Sequence, residues 1–423
     1  MARKKVLVFP CGSEIALEIY RSLNHSIHFE LIGANSVPDH GKFVYENYIE
    51  GVPFVSDSAF IPAMKEIVER EHIDFIYPAM DSVIAKLKEN EAVLGCTVIA
   101  SPSETAAICL SKEKTYRALS GIIRTPAEYS PDNIPAFPVF CKPKIGYGAR
   151  GARKIDNADM LAEHLRENPD AMILEYLSGE EYTVDCFTDK NGELKFCGAR
   201  VRSRISNGIS VNTRPVENNA EFEEIASAVN KALRFRGAWF IQLKRNGAGE
   251  LVLLEIASRL GGSSALFRAR GVNFAQLTLF DAMGYPVSVI DNGCGVEMDR
   301  ALDNRFRLDI SYDEAFIDYD DTLILDKSFY NVQAMSFIYS CKNRGVRLSL
   351  LSSHDGDLDE VLNKFHLSHL FDRIIHVEPG KTKSDYIDNK NAVFIDDSFA
   401  ERKAVHDRIG IPVFSVDMIE TLI

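Results

Sequence analysis

Short apolar runs of β-forming residues alternate with helical periodicity over residues 1 to about 110. Lys5 to Phe9 predicts a strand, followed by the turn Pro10-Cys11-Gly12-Ser13. Ile15, Ala16, Ile19, Tyr20 and Leu23 then recur at helical spacing, and Ala63, Met64, Ile67 and Val68 mark a second helix. Phe29 to Ile32, Ile73 to Tyr77 and Thr97 to Ala100 predict further strands. Strands separated by helix-length segments imply a parallel, doubly wound sheet. Gly12 stands before a helix N-terminus, a place that suits phosphate, but without the spacing of a dinucleotide loop. A structural turn and a ligand contact both stay open for it, and likewise for Asp81 just past Pro78.

From about residue 111 to 300 the pattern changes to long hairpins. Strands are predicted over Pro138 to Pro143, Ala171 to Tyr176, Glu181 to Thr188 and Leu194 to Val201. Asp189-Lys-Asn-Gly192 and Lys244-Arg-Asn-Gly-Ala-Gly249 read as hairpin turns, and Phe222, Ile225, Ala226, Val229 and Leu233 as the stripe of a helix. This is mixed α+β. Alternation returns from about 312, with strands at Ala315 to Asp318, Val346 to Leu351 and Ala392 to Ile395, and helices over Tyr330 to Cys341 and Leu358 to Phe365. The predicted domains are 1–110, 111–305 and 312–423.

Composition adds limits. The 423 residues are 46% hydrophobic and 26% charged, an ordinary globular balance, with formal net charge −13. An acidic chain lacks the basic field that nucleic acid or an anionic membrane would need. No apolar run approaches the roughly 20 residues of a membrane span, and the apolar N-terminal run is too short for a signal peptide. The eight cysteines are scattered without a C-x-x-C pair, which fits free thiols in a reducing cytoplasm.

Four middle segments carry candidate chemistry. Lys142-Pro-Lys144-Ile-Gly146-Tyr-Gly148-Ala-Arg-Gly151 puts cations and three glycines after a strand, where backbone can close over phosphates without Cβ clashes. Ser111-Lys112-Glu-Lys114 opens a basic helix that is otherwise a solvated face. Leu174-Glu175-Tyr176-Leu177 ends a strand, offering an apolar wall and backbone groups, and Glu181 follows as a carboxylate. Gln242 and Glu255, on two hairpin strands, supply oxygen donors near Arg259. Arg200, Arg202, Arg204 and Arg214 form either a basic face or, in part, a site for a substrate carboxylate.

In this order, these residues resemble the ATP-grasp superfamily, in its carbamoyl phosphate synthetase, biotin carboxylase and D-alanine–D-alanine ligase branches. The resemblance covers residues 1 to about 300. It implies a Rossmann-like domain before an α+β ATP-grasp domain, with ATP held between two subdomains. Lys112 and Lys142 would meet the phosphates, Lys144 would stand nearby, and the Gly146–Gly151 loop with Gly148 would close over them. Glu175, Tyr176 and Leu177 would meet adenine and Glu181 the ribose. Gln242 and Glu255 would hold magnesium, with manganese the alternative ion, and Arg259 would stabilise the transferred phosphoryl group. The implied reaction joins a small-molecule carboxylate to an amine or related nucleophile through an acyl phosphate. Related ligases are often homodimers. Where the family often reads Glu-x-Asn, this chain has Ala257, which leaves either a water in place of a ligand or one metal site fewer.

Asp318 and Asp320 stand at alternate positions after an apolar strand, so both carboxylates face one side. One can attack phosphorus and the other protonate the leaving oxygen. With Ser352, Ser353, Lys381, Lys383, Asp396 and Asp397 they resemble the haloacid dehalogenase-like phosphatases, over about 312–423. That likeness implies Asp318 as nucleophile and Asp320 as general acid/base. It makes Ser352 the phosphate ligand, with Ser353 competing, and Lys383 the charge balance, with Lys381 competing. The magnesium site would draw on Asp318, Asp320, Asp396 and Asp397. Short gaps between the motifs leave little room for a cap, which favours a bulky phosphorylated substrate or one presented by the neighbouring domain. Three readings follow. The first is a cytoplasmic ligase with an associated phosphatase. The second is a phosphatase whose ATP-grasp domain only binds nucleotide. The third is a non-catalytic ligand-binding regulator, against which the intact Asp318, Asp320, Thr322 and Asp396 set speaks.

Overall fold

The structure is a computed structural model that describes residues 2–146, 150–206, 208–303 and 305–423. The chain divides into two compact units, Met1–Asp303 and Asn304–Ile423.

The first unit contains three sheets. Strands β1 (Lys4–Phe9), β2 (Phe29–Asn35), β3 (Asn47–Glu50), β4 (Phe75–Pro78) and β5 (Thr97–Val98) form a parallel sheet in the order β3-β2-β1-β4-β5. The order changes direction beside β1, as in a doubly wound sheet. Helix Glu14–Leu23 starts where the side chain of Ser13 accepts from the Ala16 amide at 3.2 Å. Its buried Ala16, Ile19 and Leu23 pack on Val6 and Val8.

The second sheet is small: β6 (Glu128–Tyr129), β7 (Val139–Lys142), β8 (Arg153–Ile155) and β9 (Met172–Glu175), in the order β6-β9-β7-β8. The third is the largest: β10 (Glu181–Thr188), β11 (Leu194–Ser206), β12 (Ile209–Pro215), β13 (Gly237–Arg245), β14 (Leu251–Ala257) and β15 (Met298–Asp299), in the order β14-β13-β10-β11-β12-β15. One face of it, carrying Tyr182, Val184, Cys186, Trp239 and Ile241, buries the apolar stripe of helix Ala220–Ala232. On the other face Phe187 and Ala238 join the core of the parallel sheet, while the end carrying Glu181, Thr183, Gln242 and Glu255 forms the site described below. The predicted hairpins are present, and β11 runs five residues beyond the predicted Val201. Sequence periodicity did not reveal helices Ala158–Glu167, Ala265–Ala269 and Phe274–Ala282 or the edge strand β3.

The second unit is a five-stranded parallel sheet built from β16 (Glu314–Ile317), β19 (Arg347–Ser352), β20 (Arg373–His376), β21 (Ala392–Ile395) and β22 (Val413–Phe414), in the order β20-β19-β16-β21-β22. A two-stranded hairpin, β17 (Ile324–Leu325) and β18 (Phe329–Tyr330), follows β16. Helix Val332–Arg344 is fixed at both ends. Asn331 accepts from the Gln333 and Ala334 amides, and Gly345 closes the helix in the left-handed region at φ 70°. Among the described residues, no helix is long and apolar enough to cross a membrane.

The buried Asn331 amide also donates to the Thr322 carbonyl at 3.0 Å, so one side chain joins the helix start to the loop after β16. Asn331→Ala removes the cap and leaves the Thr322 carbonyl without that donor. A loss of roughly 1–3 kcal/mol from the second unit is expected, read as a lower urea midpoint with the slope unchanged.

Candidate functional site

Strand register builds the floor of the first unit's cleft. Glu255 lies opposite Gln242, Gln242 opposite Thr183, and Thr183 opposite Arg200, so one row of polar residues crosses four strands. Side chains two positions away share that face. Lys244 beside Glu181 forms the next row on one side, and Ala257, Phe240 and Asp185 the next row on the other. The smaller sheet is joined to this one by Tyr176–Glu180. The Gly179 amide donates to the Arg245 carbonyl and the Arg245 amide to the Glu180 carbonyl, both at 2.9 Å. A Cβ on Gly179 would lie 2.7 Å from Arg245 Cβ and 2.8 Å from its carbonyl oxygen, so only glycine permits this approach.

Between the two sheets lies a cavity of about 330 Å³. Its walls bring together Lys112, Lys142, Gly146, Glu175, Tyr176, Leu177, Glu181, Gln242 and Glu255, residues up to 143 positions apart. Lys142 is nearly buried. Its ammonium donates to the Tyr116 hydroxyl at 2.6 Å and the Leu254 carbonyl at 3.0 Å, both neutral acceptors. Burial therefore pulls its pKa down to about 8, although Glu255 opposes the fall. Lys112 donates to the Gly146 carbonyl at 3.2 Å and stands 3.7 Å from a Glu255 oxygen. Glu255 and Gln242 present oxygen donors side by side, which suits a small hard ion that completes its shell with water and phosphate. Ala257, one row further, offers no ligand.

Other predicted residues are placed differently. The Lys144 ammonium turns away to Glu113 at 3.1 Å. Gly151, at φ 68°, lies by Pro143 off the cavity wall. Gly148 lies outside the described residues. Arg259 lies beyond the cavity wall, with its guanidinium 5.3 Å from the Phe240 ring centre and both ends of its side fork on Asp81. The four clustered arginines separate. Arg200 is buried against Asp185 at 2.6 Å, Arg202 lines the cavity 3.0 Å from Glu181, Arg204 pairs with Asp299 near the surface, and Arg214 is exposed. Lys244 and Phe140 also line the cavity. Period-two spacing from Gln242 would have indicated Lys244; nothing local indicated Phe140.

In the second unit the loop after β16 meets the ends of β19 and β21. Lys383 Nζ lies 2.6 Å from both Asp318 Oδ1 and Asp396 Oδ2, and all three residues are buried. Oxygens of Asp318, Asp396 and Asp397 lie within 4.8 Å of one another, a hard donor set that fits a magnesium-sized ion. Burial raises Asp318 to about 7; Lys383 resists the rise and Asp396 adds to it. Asp320 is outside that trio. Its carboxylate receives His354 Nδ1 at 2.9 Å, a partner that sequence spacing did not reveal. The Ser352 hydroxyl is buried and accepts from the His354 amide at 3.1 Å. Thr322 accepts from the Asp397 amide at 3.0 Å and ties the two acidic loops together. Lys381 is turned to Glu378, so Lys383 alone of the two lysines meets the carboxylates.

Comparison with known proteins bears on this geometry. Residues 167–297 match the family described as ATP-grasp in the biosynthetic pathway with Ter operon. Among solved structures, the chain is similar to the biotin carboxylase domain of 2-oxoglutarate carboxylase from Hydrogenobacter thermophilus, crystallised as a dimer with MgADP, ADP and bicarbonate. The TM-score is 0.58 at 18% identity, covering 69% of this chain and 72% of that one. It is also similar to an L-amino acid ligase from Bacillus licheniformis, at TM-score 0.56 and 17% identity, covering 68% of this chain and 75% of that one. A third is N5-carboxyaminoimidazole synthetase from Staphylococcus aureus with ADP, at TM-score 0.57 and 15% identity, covering 69% and 80%. At such identities the likeness is one of fold. No curated protein matches the chain.

The buried trio of the second unit generates a prediction. Asp318 has its folded pKa raised, so its contribution to stability is present below the unfolded value near 4 and is lost as pH rises through about 7. Lys383→Met leaves Asp318 and Asp396 without their cation. Metal-free protein should lose roughly 3–5 kcal/mol from this unit at pH 7.5, and less at pH 5.5. Calorimetric melts in chelator at the two pH values check it; equal losses would contradict it.

Proposed function

We propose that the first unit is an ATP- and magnesium-dependent ligase that activates a small-molecule carboxylate as an acyl phosphate, then passes the acyl group to an amine or related nucleophile. The observation that carries this reading is the cavity wall, where two lysines, the Gln242–Glu255 oxygen pair and the Glu175–Glu181 linker converge between two sheets. The ATP-grasp family match over residues 167–297 and the fold shared with MgADP-bound and ADP-bound enzymes support it.

In this reading the adenine lies against Tyr176 and Leu177, with Glu181 at the ribose. Lys112 and Lys142 meet the phosphates. Gln242 and Glu255 hold magnesium, which supplies charge neutralisation on the phosphate oxygens when bound. A free carboxylate is a poor acyl donor because oxide would have to leave. Its oxygen attacks the γ-phosphorus, ADP departs, and phosphate becomes the later leaving group. Arg259 stabilises charge as the phosphoryl group moves. The two sheets shield the acyl phosphate from water until the nucleophile displaces phosphate.

For the second unit we propose a magnesium-dependent phosphohydrolase of the haloacid dehalogenase type. Asp318 attacks phosphorus, Asp320 moves the proton to the leaving oxygen, and Lys383 offsets charge beside Asp318 and Asp396. Asp318, Asp396 and Asp397 would hold the ion. A second reading, in which only this unit turns over and the first binds nucleotide, is favoured by Ala257, which removes a ligand from the metal strand.

Two predictions test these readings. ADP release from MgATP should rise with particular members of an amino-acid panel, with the coupled product seen by mass spectrometry. Glu255→Gln should lower that release at least 100-fold while hydrolysis of p-nitrophenyl phosphate persists; Asp318→Asn should do the reverse. ATP binding without any acceptor-dependent release would instead support the second reading. Separately, the anionic nucleotide should raise the Lys142 pKa above its value of about 8. Binding at pH 8.5 should therefore take up a fraction of a proton, and affinity should fall as pH rises through 8. Calorimetry of ADP binding in buffers of different ionisation heat reads the uptake, which Lys142→Met should abolish.

A further inference from the structure

Arg259 is not free to turn. Asp81 Oδ1 accepts from its Nε at 2.9 Å and Asp81 Oδ2 from its Nη2 at 2.8 Å, across 178 positions of sequence. This pairing uses the side fork of the guanidinium. Nη1 donates one of its hydrogens to the Leu260 carbonyl at 3.3 Å, which leaves its other hydrogen and the second Nη2 hydrogen to a second planar or tetrahedral anion. The guanidinium lies over the Phe240 ring, 5.3 Å from its centre. Phe240 shares the polar face with Gln242 two positions on and is paired with Ala257, which shares it with Glu255. Arg259 therefore lies on the cleft side of the sheet, one row past the oxygen pair. The Arg259 and Asp81 side chains are 15% and 30% exposed, so the pair is partly shielded from water.

Asp81 belongs to a different sheet from Arg259. It is the first residue of helix Asp81–Glu89, directly after β4 of the parallel sheet. The Arg300 guanidinium reaches Glu14 at the start of another helix of that sheet, and its Nη1 donates to Ser263 at 3.1 Å. The chain after Glu255 is thus held to the helices of the parallel sheet by three acid–arginine pairs, Arg259–Asp81, Arg268–Glu18 and Arg300–Glu14.

We propose that Asp81 is a positioning residue for phosphoryl transfer: by holding the side fork of Arg259 it aims the end fork at the migrating phosphoryl group. This deepens the ligase reading of the first unit and rests on it. The doubly wound sheet is then part of the catalytic frame, because it orients Arg259. Asp81 lies off the cavity wall, so its removal should spare ground-state binding and reduce binding of a mimic of the transferring phosphoryl group.

The experiment measures MgADP affinity by calorimetry, with and without aluminium fluoride, for the full chain, Asp81→Asn and Asp81→Glu. The wild type should bind MgADP at least about tenfold tighter when the fluoride is present. Asp81→Asn should keep its MgADP affinity within about twofold and lose that gain, and Asp81→Glu should restore part of it. A second readout is the Arg259 Nε–H resonance in ¹⁵N-arginine spectra, assigned with Arg259→Lys. It should move to the free-arginine position in Asp81→Asn and stay shifted in Asp81→Glu. An undiminished fluoride gain in Asp81→Asn overturns the proposal and leaves the ligase reading intact. No fluoride gain in the wild type also overturns it. Failure of the wild type to bind MgADP at all overturns the ligase reading itself.

Discussion

An ammonium carried to a nearly dry strand end has to be compensated, and each unit of this chain is organised around one. Among the described residues Lys142 donates to a phenol and a carbonyl, and burial outweighs the support of Glu255, so its proton is loosely held. The cavity beside it has room for what is lacking, a negative ligand. Lys383 receives two carboxylates and has Asp397 close by, so it is held above its ordinary pKa: burial opposes the charge and the carboxylates outweigh burial. There the imbalance runs the other way, and a cation is what would complete it. The two sites share a chemical device and differ in which sign is left over. That difference is what supports the proposal of a phosphate-binding cleft in one unit and a divalent-ion site in the other.

Much of the fold was legible from local pattern because hairpins and buried strands write themselves into short windows. Glu181–Thr188 and Ala392–Ile395 stand where alternation and apolar runs put them. Helix Phe399–Ile409 buries only Val405, so it carries almost no apolar stripe to read. Strand β3 sits at a sheet edge with no fully buried residue, and its alternation is weak for the same reason.

The candidate site was legible as a set of residue types and illegible as an arrangement. Lys112, Lys142, Glu175, Glu181, Gln242 and Glu255 could be picked out singly, yet their sharing one cavity depends on pairing between strands far apart in sequence. Hairpin turns indicate that strands pair, but a slip of one residue would turn Gln242 to the opposite face. Interactions between residues far apart in sequence leave no local trace. Asp81 with Arg259, and Asp320 with His354, are cases of this kind. Lys144 and Lys142 show the opposite hazard: two lysines separated by one proline look equivalent in sequence, while the strand end buries one and sends the other to Glu113.

The attachment of the smaller sheet has a mechanical consequence. The chain passes between this sheet and the larger one near Arg124–Ala127 and again at Tyr176–Ser178. The Arg124 carbonyl is pinned by the Leu253 amide, Gly179 is pinned to Arg245, and the Glu175 amide is bonded to the Ala127 carbonyl between the two crossings. Two adjacent, cross-tied straps resist sliding of one sheet over the other, and the Lys142 bond to the Leu254 carbonyl adds a tie across the cavity. Tyr176 and Leu177 are both strap and cavity wall, so whatever presses on that wall bears directly on the join between the sheets.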